Sequence, residues 1–373
     1  MVIGVLKESL PETRVSLLPE HVTLLKKLNT EVIIETGAGV KAFAADEKYN
    51  EAGAKVASRE EVLASADIIL SINLLNDHET SQLKSKVVLG NYQPLYNAPV
   101  INNWSKQGLS VFSIDMIPRT TRAQSMDVLS SQANIAGYKA VLFAANLFPH
   151  YLPMFMTAAG SIPPAKVLIL GAGVAGLQAV ATAKRLGAVV EVFDTRPAVK
   201  EEVMSLGAKF IEVEGAADAA AAGGYAVEQS EEFLQRQKAK IAESVGKADI
   251  IISTAQIPGK KAPILITTLM IEKMKNGSVI MDLAAATGGN TELTKNETLT
   301  YKGVTIVGNS ALAATMPSDA SKMYGKNIVN FLQLIITKEG AIDLDWNDDL
   351  VKGTCIAFNG EIVNDRVKQL LTS

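Results

Sequence analysis

A glycine-rich segment between two apolar strands constrains the fold more than any other part of this sequence. Residues 167–176 read VLILGAGVAG, and the apolar segment at 189–193, VVEVF, ends at Asp194. This is the GxGxxG pattern of a β-strand that turns into a helix, followed by a second strand that ends at an acidic residue. We therefore predict a Rossmann-type βαβ unit with a dinucleotide site at its glycine turn.

The glycines of this turn have separate steric roles. Gly171 permits the tight turn, Gly173 lets a pyrophosphate approach the backbone, and Gly176 lets the helix pack close to the strand. Backbone N–H groups at the helix start face the phosphates, which makes Ala172, Val174 and Ala175 candidate contacts as well. Asp194 can accept hydrogen bonds from an adenosine ribose and would repel a 2′-phosphate, so the pattern favours NAD(H) over NADP(H).

Length and composition exclude several classes of protein. The 373 residues exceed what one hydrophobic core usually organises, so we expect two domains. The net charge of −3 offers no basic surface for nucleic acid. Cys355 is the single cysteine, and His, Cys, Asp and Glu show no metal-ligand spacing, so no disulfide and no metal site are predicted. The first residues do not resemble a signal peptide.

The stretch from Ala140 to Ala165 contains no Asp, Glu, Lys or Arg and is long enough to span a bilayer. Four prolines, His150 and Gly160 interrupt it. We predict a buried helix to about Leu147 and then an irregular crossing between domains, rather than a membrane span.

Alternating strand and helix patterns predict an α/β fold with two Rossmann-like, mostly parallel sheets. In the first unit, helices are expected to start at Pro19 and near Ala44, and strands are expected near residues 2–5, 32–35, 67–70, 87–89 and 110–114. In the second, strands after the fingerprint are expected near 209–212, 249–254, 278–284 and 304–308.

After Asn309 the chain is expected to return to the first unit through a helix at 318–337. It would then form a hairpin at Asn359-Gly360, a dipeptide typical of tight β-turns. The first domain would be discontinuous, comprising residues 1–135 and 320–373. A cleft would separate it from a Rossmann domain at 140–315.

The segment GAADAAAAGGY at 215–225 is poor in large apolar residues and follows a predicted strand. It is either a disordered surface loop or a lid whose Tyr225 closes over the bound nucleotide.

The densest group of polar side chains lies in RTTRAQSMDVLSSQ at 119–132. Because it follows a predicted strand, it is expected at the carboxyl edge of the first sheet, facing the cleft. Arg119 can act as a fixed cation or pair with Asp127. Hydrogen bonds to a carboxamide or ribose are available from Gln124, Ser130 and Gln132. The alternative, which composition alone favours, is a solvated loop that caps the next helix with Asp127 or Ser130.

This loop and four other segments resemble the NAD(H)-binding component, domain I, of proton-translocating nicotinamide nucleotide transhydrogenase. The other segments are GVLKESLPETRVSLLP, NYQPLYN, GAGVAGLQAVATAKRLGAVVEVFDTR and MDLAAATGGN. The resemblance covers nearly the whole chain. It implies that the dihydronicotinamide end of NADH is held by Arg119, Gln124, Asp127 and Ser130. It also implies that the rest of the nucleotide is held by the three glycines, Asp194 and Arg196. The set of candidate contacts is completed by Thr195, Thr254 and Ala255.

The family's mobile loop matches GGYA around Tyr225, whereas Gln229 stands where a methionine-like contact is expected.

The resemblance also implies partners. Hydride would pass to NADP⁺ on a partner domain, since this chain has one dinucleotide fingerprint, and a membrane-spanning domain would couple transfer to proton movement. A homodimer is implied. The sequence ends at Ser373 without a transmembrane tail, so we expect a separately encoded form, or a truncated piece of it, on the cytoplasmic side, peripheral to the membrane through partner subunits.

Alanine dehydrogenase is the rival, because it shares this fold and resembles the N-terminal KES and ETRV segments. Such enzymes are expected to carry a lysine after the third predicted strand, a histidine after the fourth and an aspartate before Gly-Gly. The counterparts here are Asn73, Gln93 or Pro94, and Ala286, none of which titrates usefully. Arg14 remains. A nucleotide-binding regulatory module without chemistry is the third hypothesis.

Overall fold

In the computed structural model, which describes residues 1–213 and 230–372, the chain divides into two units. Unit 1 comprises Met1–Gln132 and Ala314–Ser373, and unit 2 comprises Ala133–Ala313. The chain therefore leaves unit 1 once and returns to it, as an α/β fold with a discontinuous first unit requires.

Unit 1 alternates short strands with helices. Its strands are β1 (Val2–Val5), β2 (Glu31–Glu35), β3 (Lys55–Ala57), β4 (Ile68–Leu70), β5 (Val87–Gly90), β6 (Ser110–Ser113), β16 (Cys355–Phe358) and β17 (Glu361–Ile362). Its helices are α1 (Pro19–Lys26), α2 (Asp46–Ala52), α3 (Arg59–Ser65), α4 (Asp77–Ser81), α5 (Ala98–Lys106), α11 (Pro317–Ile335), α12 (Asp349–Thr354) and α13 (Asp365–Thr372). Helix α6 (Val128–Leu147) starts in unit 1 and continues into unit 2.

The described strands of unit 1 form an eight-stranded sheet in the order β3-β2-β1-β4-β5-β6-β16-β17. The first six are parallel, and the order 3-2-1-4-5-6 is that of a doubly wound fold. β16 joins antiparallel to β6, so the C-terminal segment completes the sheet that the N-terminal segment begins.

Unit 2 has the same architecture. Its strands are β7 (Phe155–Thr157), β8 (Gly160–Ile162), β9 (Lys166–Leu170), β10 (Val189–Phe193), β11 (Lys209–Phe210), β12 (Ile250–Ser253), β13 (Val279–Asp282), β14 (Thr298–Tyr301) and β15 (Val304–Gly308). Its helices are α7 (Val174–Arg185), α8 (Lys200–Ser205), α9 (Glu231–Lys247) and α10 (Thr268–Ile271).

The large sheet of unit 2 again has the parallel order 3-2-1-4-5-6, here β11-β10-β9-β12-β13-β15, with β14 antiparallel at its edge. Alternate residues of β9 enter different apolar layers. Val167 and Ile169 pack in one layer, whereas Leu168 and Leu170 pack in the other. Burial on both faces explains why this strand is continuously apolar, as parallel strands usually are.

Several sequence-based expectations are confirmed. Helix α1 begins at Pro19, α6 ends at Leu147, and α11 covers most of the helix predicted at 318–337. Strands β16 and β17 form the predicted hairpin around Asn359 and Gly360, which adopt φ values of 51° and 83°. Positive φ at both central residues is what a type I′ turn demands, and Asn-Gly supplies it at low cost.

Other expectations were wrong in detail. The segment after Leu147 is not wholly irregular, because β7 and β8 pair as an antiparallel hairpin whose six residues are all exposed. Edge strands β3 and β14 were not predicted, and the strand predicted at 209–212 covers two residues. Short edge strands carry few residues, so a period-2 pattern hardly develops in them.

Helix α1 carries a buried histidine whose protonation opposes folding. His21 is 2% exposed, and its Nδ1 accepts a hydrogen bond from the Leu18 N–H at 2.9 Å. Burial lowers the pKa of His21 to about 4, outweighing the opposite effects of the Glu20 charge and of a backbone hydrogen bond to Lys322, and the positive charge of Lys326 adds to the lowering. His21 is therefore neutral in the folded protein at neutral pH.

This burial predicts an acid-sensitive stability. Between pH 6.5 and about 4 the unfolded chain takes up a proton at His21 that the folded chain does not, so stability falls as the pH falls. We expect a loss of about 3 kcal/mol by pH 4 that is missing in His21→Gln. Urea unfolding of both proteins across this range measures it. Identical pH profiles would show that His21 does not contribute.

Membrane spans and metal clusters are both absent from the described residues. None of their helices is long and apolar enough to cross a membrane, and none of their His, Cys, Asp and Glu side chains cluster in a way that could hold a metal ion.

Candidate nucleotide-binding site

The glycine turn joins β9 to α7 in unit 2. Gly171 has φ +103°, a conformation that side chains disfavour, and a Cβ there would lie 2.5 Å from Thr254 Oγ1. A Cβ on Gly176 would lie 1.8 Å from Gly171 O. Both glycines are therefore required by the fold itself.

Gly173 is different, because no heavy atom of the described residues lies within 4 Å of where its Cβ would be. Its φ of −77° suits any residue. The space that a side chain would occupy is open, directly before the first turn of α7. Val174 begins that helix and is 40% exposed, and Ala175 follows it. The first N–H groups of a helix lack intrahelical partners and attract anions, so this end of α7 suits a phosphate.

Asp194 is anchored at the carboxyl end of β10. Its Oδ2 accepts a hydrogen bond from Ala172 N–H at 2.7 Å, which ties the acid to the glycine turn. Arg196 donates to both carboxylate oxygens, from Nε at 2.9 Å and from Nη2 at 2.7 Å. These bonds raise the pKa of Arg196. Half-buried Thr195 lies between Asp194 and Arg196 in the chain, so all three predicted residues follow the end of β10.

Thr254 and Ala255 lie at the end of β12, next to β9. Thr254 Oγ1 is 3.2 Å from Gly171 O, so it contacts the glycine turn directly. The peptide of Ala255 is held from behind by Asn290, whose Oδ1 accepts from Ala255 N at 3.1 Å and whose Nδ2 donates to Ala255 O at 2.8 Å. The switch point between β9 and β12, where doubly wound folds bind ligands, is thereby built of fixed backbone.

A buried acid organises the loop that carries Asn290. Asp282 is fully buried at the end of β13, and its carboxylate accepts from Ala284 N, Asn290 N and Thr294 Oγ1 at 2.9, 2.6 and 2.6 Å. Sequence reasoning missed Asp282 and Asn290. Their place within MDLAAATGGN, just after a strand, was the available signal.

The polar loop lies in unit 1, between β6 and α6. A 3₁₀ helix spans Thr121–Met126, and Arg119 and Gln124 are exposed. Asp127 caps α6: its Oδ1 accepts from Ser130 N at 2.9 Å and its Oδ2 from Ser130 Oγ at 2.6 Å. Asp127 therefore occupies the capping position expected for Asp127 or Ser130, and the structure brings these two residues together.

Gln132 belongs to a second polar group in unit 1. Arg14 Nη1 donates to Gln132 Oε1 at 2.8 Å, while Arg14 Nε and Nη2 bind Glu12 at 2.9 and 2.6 Å. Burial raises the pKa of Glu12, but the Arg14 contacts lower it more, and the net shift is downward. Arg14 is thus occupied by groups of its own unit.

The positions at which an alanine dehydrogenase is expected to carry a lysine, a histidine and an aspartate hold neutral residues in this chain. Asn73 Nδ2 donates to Glu8 Oε2 at 2.9 Å. Gln93 is exposed at φ 48°, and Ala286 is exposed in the 3₁₀ helix Ala285–Thr287. Burial raises the pKa of Glu8, whose Oε1 also accepts from Ile72 N at 2.6 Å.

Two residues of the expected lid, Tyr225 and Gln229, lie outside the described residues.

Comparisons with known proteins agree with this arrangement. The family model "Alanine dehydrogenase/PNT, N-terminal domain" matches residues 4–136, and "Alanine dehydrogenase/PNT, C-terminal domain" matches residues 140–365. An NAD(P) transhydrogenase subunit alpha chain of Rhodospirillum rubrum is 44% identical over 376 residues, covering 98% of each chain. The crystal structure of transhydrogenase from Sinorhizobium meliloti superimposes with a TM-score of 0.89 at 44% identity, covering 97% of this chain and 100% of that one. An L-alanine dehydrogenase superimposes with a TM-score of 0.81 at 25% identity, covering 100% and 99%.

Proposed function

The chain belongs to the alanine dehydrogenase/PNT family, in which it groups with the alpha subunits of NAD(P) transhydrogenase, and from this premise we propose that it passes hydride between its own NADH and NADP⁺ on a partner domain. In this proposal a membrane-spanning partner couples the transfer to proton movement. The chain itself would sit on the cytoplasmic side, as a homodimer, held at the membrane through its partners.

The geometry of the glycine turn in unit 2 carries this proposal. The open position at Gly173, the N-terminus of α7 and the acid at Asp194 fit the phosphates and ribose of NAD(H). Thr254 contacts the same turn, and we propose that it completes the site together with Thr195, Arg196 and Ala255, which follow the ends of β10 and β12. We further propose that the two units are the two expected domains, and that Tyr225 belongs to a lid over the nucleotide.

The proposed hydride transfer needs no general acid or base from the protein. When bound, NADH supplies a hydride, and its exchange with another nicotinamide neither releases nor consumes a proton at the reacting carbons. No general acid or base is supplied by Asn73, by Gln93 or Pro94, or by Ala286, so these positions do not favour an amino-acid dehydrogenase. The side chains of Arg119, Gln124, Asp127 and Ser130 would orient the nicotinamide and exclude water, since rate here depends on alignment.

Mixing experiments test this function. The purified chain, NADH and thio-NADP⁺ are combined with and without an NADP(H)-binding transhydrogenase domain, and reduced thio-NADP is followed by absorbance. We expect transfer only with both proteins present. NADH oxidation by pyruvate and ammonia with this chain alone would replace the proposal with an alanine dehydrogenase. Tight NADH binding without either activity would indicate a regulatory module.

The loop residue Gln124 offers the first mutational test. Because it is exposed and would orient the carboxamide, Gln124→Asn should slow transfer about 10- to 100-fold and leave NADH affinity nearly intact. The same change at exposed Gln82, outside the loop, is the control. Stopped-flow transfer rates and NADH titrations measure both quantities. An unchanged rate in Gln124→Asn would remove the loop from the site.

The ribose contact offers the second test. Asp194→Asn should weaken NADH binding by roughly 1–3 kcal/mol, the size of hydrogen bonds to charged groups. Asp249→Asn is the matched control, because Asp249 lies at the opposite, amino end of the parallel strands and binds Lys275 at 2.6 Å. Calorimetric titration with NADH compares the two variants. Equal affinities would exclude Asp194 from the ribose site.

A further inference from the structure

Helix α11 contacts the polar loop through two asparagines, of which Asn327 makes two bonds to it and Asn330 one. Asn327 Nδ2 donates to Ser125 O at 2.9 Å, and Asn327 Oδ1 accepts from Ser131 Oγ at 2.7 Å. Asn330 Nδ2 also donates to Ser125 O, at 2.8 Å. A single side chain, Asn327, therefore joins the 3₁₀ helix of the loop to the first turn of α6.

The two anchored residues, Ser125 and Ser131, lie next to or around three of the proposed nicotinamide contacts. Ser125 directly follows Gln124, and Ser131 directly follows Ser130, with Asp127 between the two anchors. Asp127 is itself bonded to Ser130, so Asn327 closes a ring of hydrogen bonds around this region of the loop. A shift of either anchor would move Gln124 or Ser130 with it.

Asn327 acts from inside unit 1 rather than at its surface. It is 5% exposed, and both of its polar atoms are occupied by the loop. A buried amide with its donor and acceptor satisfied is held in one orientation, because rotating it would leave both partners unpaired. The two hydrogen bonds of Asn327 therefore fix the distance between Ser125 and Ser131, and they do not depend on the ligand.

We propose that Asn327 is a positioning residue for hydride transfer, setting the loop backbone so that Gln124, Asp127 and Ser130 meet the nicotinamide in reactive alignment. This inference rests on the proposed function. It predicts a defect in transfer rate without a matching defect in NADH affinity, since the nucleotide-binding turn belongs to unit 2. Misplacing reacting groups by about 1 Å can cost on the order of 100-fold in rate.

The test compares single-turnover transfer from NADH to thio-NADP⁺ with the NADH dissociation constant, in the presence of the NADP(H)-binding domain. Asn327→Leu has similar volume and loses both bonds, and it should lower the transfer rate about 10- to 100-fold while the dissociation constant changes less than about twofold. Asn327→Asp keeps the acceptor for Ser131 but places a carboxylate oxygen against Ser125 O, so it should also slow transfer.

Asn330→Ala is the matched control. It removes one bond to Ser125 O that Asn327 still supplies, so transfer should stay close to the wild-type rate. Ser131→Ala removes the hydrogen bond from Ser131 Oγ to Asn327 Oδ1. Because Ser131 is half-buried, this variant keeps the test available if Asn327→Leu does not fold. In the double variant Ser131→Ala/Asn327→Leu the losses should not add, because both remove the same bond.

Rates are normalised to the number of NADH-binding sites, so loss of folded protein does not count as slower transfer. Wild-type rates in both Asn327→Leu and Ser131→Ala would overturn the positioning role. A rate loss in Asn330→Ala equal to that in Asn327→Leu would also overturn it, because simple loosening of α11 would then suffice. If the wild-type mixture transfers no hydride, the proposed function itself fails, which is a distinct result.

Discussion

Gly176→Ala is expected to destabilise unit 2 by about 3 kcal/mol or more and to abolish NADH binding. Its Cβ would lie 1.8 Å from Gly171 O and 2.9 Å from the carbonyl carbon, and both atoms are backbone that cannot move without opening the turn. Helix α7 would have to separate from β9, which supplies the central strand of the sheet. Thermal and urea unfolding measure the first effect, and NADH titration measures the second.

Gly173→Ala is the matched comparison, because the two glycines belong to one motif but have different surroundings. No described heavy atom lies within 4 Å of its Cβ position, so the folded protein should keep wild-type stability. The methyl group would instead occupy the space through which the pyrophosphate approaches. We expect NADH affinity to fall tenfold or more, about 1.4 kcal/mol. Equal stability losses in the two variants, or full NADH affinity in Gly173→Ala, would contradict this division of roles.

Asp282→Asn is expected to cost about 3 kcal/mol or more of stability, although it changes the side-chain size very little. The carboxylate is fully buried and accepts from three donors: Ala284 N, Asn290 N and Thr294 Oγ1. An amide turns one acceptor into a donor, so at least one buried N–H or O–H faces another donor. Hydrogen bonds to a charged group contribute about 1.5–3 kcal/mol each, and an unsatisfied buried donor costs about 1–3 kcal/mol in addition.

Ser278→Ala supplies the control for this prediction. Ser278 directly precedes β13 and is 1% exposed, but its hydroxyl has no hydrogen-bond partner among the described residues. Removing it should leave the free energy of unfolding unchanged or slightly higher. NADH affinity should fall in Asp282→Asn as well, because Asn290 would no longer hold Ala255. Wild-type stability in Asp282→Asn would show that the loop finds other partners.

Much of the fold was predictable because its signals are local. The strand that leads into Gly171, the helix that begins at Pro19 and the turn at Asn359-Gly360 each depend on residues adjacent in the chain. Their conformations follow from apolar periodicity, from the fixed φ of proline and from positive φ at Asn-Gly. The hairpin of β7 and β8 was not predicted because its six strand residues are all exposed, so no alternation of buried and exposed residues marks it.

In the candidate site, too, the features with local sequence signals were predictable and the contacts between distant residues were not. Glycine spacing and the acid after β10 depend on one βαβ unit, so the amino-acid sequence alone determined where the turn lies and which positions exclude a side chain. The partners that hold these groups come from distant regions of the chain: Asn290 reaches Ala255, Arg14 reaches Gln132, and Asn327 reaches Ser125 across 202 residues. Only the tertiary structure decided those contacts, because a side-chain hydrogen bond requires donor and acceptor within about 3 Å in a fixed direction. Neither composition nor periodicity encodes which distant helix will supply that partner.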